Sequence, residues 1–166
     1  MSATAPLVSP LDGTLFEDNQ CFGCSPTHPF GFHLAFEREG DDGTVLTHFM
    51  PTTRHQGPPG IMHGGLVSTL ADETAAWAVI AKTGKFGFTT SFECRLMRPV
   101  KVAVATESRG RISRETSRIV RVEVRISQLG LDCYSGEFTF VLLDAEAAQK
   151  MLGTPLPESW RRFARE

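Results

Sequence analysis

The sequence predicts an α+β fold in which one long helix is covered by an antiparallel sheet. Two observations carry this. From Leu66 to Lys82 the chain is apolar and Ala-rich, with neither Pro nor Gly. Gly57, Pro58, Pro59 and Gly60 precede that run and Gly84 follows it, the signals of a helix of about 18 to 20 residues. Downstream, alternating apolar and polar segments succeed one another across separators too short for crossover helices, so they pair antiparallel. Such a sheet must lay its apolar face on the helix.

Taken in order, residues 1–19 hold Pro6, Pro10 and Gly13 without sustained periodicity and read as a loose N-terminal arm. Cys21-Phe22-Gly23-Cys24 follows. A Cys-x-x-Cys pair is half a zinc site or a redox motif in other settings, but there is no second pair and no βαβ pattern after it. His28 and His33 lie nearby in sequence. The expectation is nonetheless small structural thiols in a turn, with no metal. Phe32–Arg38 and Thr44–Met50 read as a hairpin across Gly40-Asp41-Asp42-Gly43. The loop and the long helix come next.

Phe88–Met97 alternates, with Phe88, Thr90, Phe92, Cys94 and Leu96 on one face. Thr89, Ser91, Glu93, Arg95 and Met97 take the other, and Pro99 ends the strand. Lys101–Ile112, Ser117–Ser127 and Tyr134–Leu143 are further strands. Asp144 is the N-cap candidate of a short helix ending at Leu152. Residues 20–152 then form a single domain, and 153–166 a polar, basic C-terminal tail.

The 166 residues suffice for one domain with a proper core, and 41% hydrophobic and 22% charged residues are ordinary for a globular protein. A net charge of −2 argues against a nucleic-acid partner, which needs an excess of Lys and Arg. No apolar run is long enough to span a membrane, and the N-terminus lacks a charged and apolar leader pattern, so a cytoplasmic location is expected.

Two features are unexpected in a mere core helix. Its first turn reads His63-Gly64-Gly65, and each Gly costs roughly 1 kcal/mol relative to Ala. Its middle carries Asp72 and Glu73 among apolar neighbours. A helix N-terminus offers free N–H groups and partial positive charge, and glycine lets another molecule come close, so a carbonyl oxygen gaining negative charge can be held there. A carboxylate on an apolar face is a candidate base or nucleophile. Asp72 lies about 12 Å along the axis from Gly64, too far for both to serve one carbonyl from a single chain. If they act together, Asp72 comes from a second subunit.

The stretch GPPGIMHGGLVSTLAD, followed by TTSFECRLMRP, resembles hotdog-fold acyl-CoA thioesterases, nearest to the phenylacetate-pathway and 4-hydroxybenzoyl-CoA thioesterase group. The CFGCSPTHPFGFHL segment is similar to the leader of many such proteins. The resemblance covers roughly residues 20–144 and implies a central helix wrapped by a curved antiparallel sheet of five to six strands. It implies a homodimer assembling to a tetramer and an acyl-CoA substrate, with no cofactor beyond the coenzyme A of that substrate.

By residue, the resemblance makes Gly64 the oxyanion donor, where the bland reading is close packing of a helix end. It makes Asp72 of the partner subunit the nucleophile or base, and gives Thr89 a hydroxyl that positions water or the carboxylate. His63 shapes the turn, though a proton-transfer role is open, and Gly65 belongs to the same turn. Glu73, about 100° round the helix, competes with Asp72, and Thr90 is the fallback for Thr89. Gln56 or His55 stands where relatives keep a polar residue before the glycines; the position six before His63 is Gly57, a departure from the pattern. Trp77, Phe88 and Met97 are expected walls for the acyl group. Arg98, Lys101, Arg109, Arg111, Arg114, Arg118, Arg121 and Arg125 form a basic group for coenzyme A phosphates or a solvated face balanced by Glu107, Glu115 and Glu123. The rival functions are a non-catalytic acyl-CoA binder and, less well matched, a hotdog dehydratase or hydratase.

Overall fold

The computed structural model describes residues 10–166; residues 1–9, the start of the expected arm, lie outside them. The strands are β1 (Leu11–Asp12), β2 (Ala35–Glu39), β3 (Thr44–Phe49), β4 (Gly87–Leu96), β5 (Thr106–Glu115), β6 (Ile119–Gln128) and β7 (Leu131–Leu142). They form one antiparallel sheet in the order β1-β2-β3-β5-β6-β7-β4, seven strands where five to six were expected. The helices are α1 (Gly64–Thr83), α2 (Ala145–Leu152) and the single-turn α3 (Glu158–Arg161).

Helix α1 starts and stops where its local chemistry dictates. His63 is the N-cap, its ring Nδ1 accepting the Gly65 N–H at 3.0 Å. Gly84 ends it at φ 66°, a left-handed conformation that favours glycine, and sends its N–H back to the Ile80 carbonyl. The sheet curls over the helix and buries Leu70, Ala71, Ala75, Trp77, Ala78 and Val79 against Val122, Val124, Phe138 and Phe140. Gly110 of β5 sets the closeness of this approach: a Cβ there would lie 2.9 Å from the Thr74 carbonyl oxygen. The Thr74 hydroxyl, fully buried, meets Ser108 Oγ at 2.7 Å and the Leu70 carbonyl at 2.8 Å, so no polar group is left unpaired at that contact.

Residues 10–19 and the C-terminal segment are more ordered than their composition implied. Residues 10–19 of the expected loose arm include β1, which pairs with β2, and the buried Phe16, whose ring stacks on Trp160 at 4.0 Å. The expected polar tail buries Leu156 and Phe163, and Phe163 accepts the Phe86 N–H at 2.8 Å. Its apolar residues are few but spaced to face one way. Lys101 to Val104, expected as the start of a strand, is instead a turn, and β5 begins at Thr106.

Candidate active site

Among the described residues strand β4 is one of the two edges of the sheet, and it lies beside the exposed face of α1. On that face Gly65, Ser68, Thr69 and Asp72 recur at helical spacing, and with Thr89, Thr90, Ser91 and Phe92 of β4 they line an open cleft. At its end the Thr89 hydroxyl donates to Asp72 Oδ1 at 2.6 Å. Behind this pair lies an apolar cavity of about 250 Å³, lined by both residues and by Phe16, Trp77, Phe86, Phe88 and Phe140. Asp72 and Thr89 thus stand between open cleft and inner cavity. Burial holds the Asp72 carboxyl above its ordinary range, and the Thr89 hydrogen bond partly opposes that.

Simple alternation placed Thr89 away from Phe92 and Leu96, and the structure corrects this. A β-bulge between Thr89 and Ser91 shifts the register on β7, so Thr89 opposes Phe140 and Phe92 opposes Phe138. Both partners are buried on the helix-facing side, which brings Thr89 onto the same face as Phe92, Cys94 and Leu96. Thr90 occupies the bulge, its hydroxyl donating to the Thr139 carbonyl at 3.1 Å.

Gly64 is the first residue of α1, and its N–H has no protein acceptor among the described residues. A Cβ on it would touch Leu96 Cδ2 at 3.2 Å. Gln56 and His63, expected at the substrate, line neither cleft nor cavity. Gln56 Oε1 accepts the Gly60 N–H at 3.1 Å and so pins the Gly-Pro-Pro-Gly loop. The His63 N–H bonds the His55 carbonyl at 2.8 Å while its ring caps the helix. His55 packs edge-on to Phe32 and its Nδ1 takes the Thr52 N–H, a structural role. Trp77 and Phe88 line the inner cavity, whereas Met97 does not.

Glu73 is the clearest departure. It turns away from the cleft to the leader turn, where its Oε1 lies 3.1 Å from Cys21 Sγ, and burial pushes its carboxyl well above the usual range. That leaves Asp72 as the carboxylate of the cleft. Half of the basic group is neutralised: Arg109 pairs with Glu39 and Glu107, Arg111 with Glu123, Arg121 with Glu137 and Arg125 with Asp132. Sequence reasoning did not single out Tyr134, whose phenol oxygen is buried without a hydrogen-bond partner among the described residues. Burial, then neighbouring Cys94, holds this phenol above its ordinary value. A lone Tyr on the inward face of a strand was the available signal.

Residues 59–133 match the family model of the thioesterase superfamily. A solved thioesterase superfamily protein is 27% identical with a TM-score of 0.67, over 74% of this chain and 63% of that one, less than two thirds of its length. The chain has the hotdog fold of the thioesterase superfamily. Two further solved structures superpose. A hypothetical thioesterase from Streptococcus pneumoniae, solved with coenzyme A, is 24% identical over 64% of this chain and 87% of its own, with a TM-score of 0.59. A phenylacetic acid degradation-related protein of Ralstonia eutropha is 21% identical over 70% and 90%, with a TM-score of 0.62. No curated protein matches the sequence. The matched segment contains the Gly64 turn, Asp72 and Thr89. It excludes the leader turn that holds Glu73.

Proposed function

We propose that this chain is an acyl-CoA thioesterase acting as a homodimer, hydrolysing an acyl-CoA to the free acid and coenzyme A. The observation that carries the reading is the Asp72–Thr89 pair set between an open cleft and an apolar cavity. The acyl group enters the cavity beside Trp77 and Phe88, and the thioester carbonyl stops at its mouth. Thr89 holds one oxygen of Asp72 and leaves the other to take a proton from water, whose oxygen adds to the carbonyl carbon. The carbon–sulfur bond then breaks and the departing thiolate recovers the proton. Direct attack by the carboxylate, with hydrolysis of the resulting anhydride, uses the same groups.

The oxyanion needs a donor, and the Gly64 N–H of the same chain is about 12 Å away along the helix. The partner subunit therefore supplies it. The unpaired edge of β4 supports this: it exposes Phe92, Leu96 and Met97, apolar residues that a second copy of β4 would cover. Arg98, Lys101, Arg114 and Arg118, which form no ion pair among the described residues, are the members of the basic group left for coenzyme A phosphates. A reducing, cytoplasmic setting fits four unpaired cysteines; among the described residues no helix is long and apolar enough to cross a membrane.

The test is coenzyme A release from acetyl-, medium-chain, long-chain and aromatic acyl-CoAs, with Asp72→Asn beside the wild type. Turnover should fall at least about a hundredfold in the variant while binding persists. Binding without turnover by the wild type would remove the enzymatic reading.

A further inference from the structure

The leader turn and α1 together build a second cluster of reactive groups, which hydrolysis does not use. Cys21 Sγ, Cys24 Sγ and a carboxylate oxygen of Glu73 all lie within 4.8 Å of one another. The surroundings hold them there. The Ser25 N–H donates to the Cys21 carbonyl at 3.0 Å, closing a single helical turn that carries both cysteines. Gly23 leaves the space into which Glu73 reaches: a Cβ there would sit 2.1 Å from Glu73 Cγ. Asn19 braces the turn from outside, accepting the Cys21 N–H at 2.9 Å and pointing its amide N–H at Cys24 Sγ, 3.6 Å away.

We propose that Cys21, Cys24 and Glu73 are the protein ligands of a thiophilic divalent cation of the zinc class, with its fourth coordination position facing the inner cavity. Two sulfurs and a carboxylate oxygen are a zinc donor set, and three protein ligands with one open position is a familiar arrangement for that ion. Bond lengths of about 2.3 Å to sulfur and 2.0 Å to oxygen require tetrahedral donors to stand roughly 3.5 to 3.8 Å apart. From a mutual separation of at most 4.8 Å, rotamer adjustments of about 1 Å reach that geometry. Binding releases the thiol protons to solvent and joins the leader to the helix at the residue after Asp72. The cavity is lined by all three ligands and by Asp72, so the ion would form part of its wall. Metal binding at this cluster does not depend on thioester hydrolysis and is read without turnover.

Reduced, metal-free protein is titrated with Co²⁺. The expected result is near-ultraviolet thiolate-to-cobalt absorption with the visible bands of a tetrahedral site, saturating at one ion per chain and lost on adding Zn²⁺. Cys24→Ser, confirmed folded by circular dichroism, should abolish the thiolate band. Glu73→Gln should keep the band but weaken affinity by more than about tenfold. Cys94→Ser should change nothing. Zn²⁺ should raise the Tm of the wild type and leave that of Cys24→Ser unmoved. Absence of thiolate absorption in the folded, reduced wild type would overturn the proposal. So would undiminished binding by Cys24→Ser, or wild-type cysteines that cobalt leaves free to close a Cys21–Cys24 disulfide.

Discussion

The Thr89 hydroxyl donates to Asp72 Oδ1 across 2.6 Å, joining the edge strand of the sheet to the central helix at the mouth of the inner cavity. Burial favours the protonated carboxyl, and this hydrogen bond favours the charged one. Removing the donor should therefore raise the Asp72 pKa further. A base acts only when deprotonated, so in Thr89→Val the acidic limb of the kcat/KM profile should move to higher pH, and Thr89→Ser should return it. A limb that does not move in Thr89→Val would separate Thr89 from the carboxylate's chemistry.

Stability should respond to Asp72 in the opposite sense to activity. Because its folded pKa lies above the unfolded value, the stability tied to its protonated form is present at low pH and lost as pH rises through the folded pKa. At pH 7 the wild type then carries a partly buried charge that Asp72→Asn lacks. The variant's Tm should equal or exceed the wild type's at pH 7, and the difference should vanish in acid. A clearly lower Tm at pH 7 would mean the carboxylate is structural.

Gly23 and Glu73 should behave as a coupled pair. Gly23→Ala places a Cβ within 2.1 Å of Glu73 Cγ, an overpacking that costs about 1 to 3 kcal/mol. Gly23→Ala combined with Glu73→Ala should recover most of that loss relative to Glu73→Ala alone. Denaturant unfolding of the four proteins measures the coupling, and strict additivity would show that the turn does not close on Glu73.

The edge of β4 should control assembly. Leu96 and Met97 are 56% and 44% exposed, so Leu96→Asp with Met97→Glu leaves the core of one chain intact. Light scattering should find a dimeric wild type and a folded, monomeric, inactive variant. A wild-type monomer that turned over substrate would remove the shared site.

What was legible in the sequence was local. Helix α1 could be bounded within a residue or two because Gly84 and the Gly-Pro loop act on neighbouring backbone, and Asp144 marked α2 in the same way. Readings failed where distant segments meet. Glu73 looked like a rival to Asp72 because nothing in the helix discloses that Cys21 and Gly23 close over it. The N-terminal arm looked loose and the C-terminal tail merely polar because Phe16, Trp160 and Phe163 find each other only in the folded chain. Thr89 was placed on the wrong face because a strict period of two cannot register an inserted residue.

That inserted residue makes β4 two strands of opposite phase joined at Thr90. Upstream, Thr89 faces inward opposite Phe140; downstream, Phe92 faces inward and stacks on Phe138 at 5.0 Å. A deletion at Thr90 would leave one pattern for the whole strand, and the two halves could not both keep their orientation. Either Thr89 would lose Asp72 or Phe92 would turn off Phe138. The chain length between these side chains is therefore fixed more firmly than the identity of the residue in the bulge: point substitutions can drift at position 90, whereas insertions and deletions cannot.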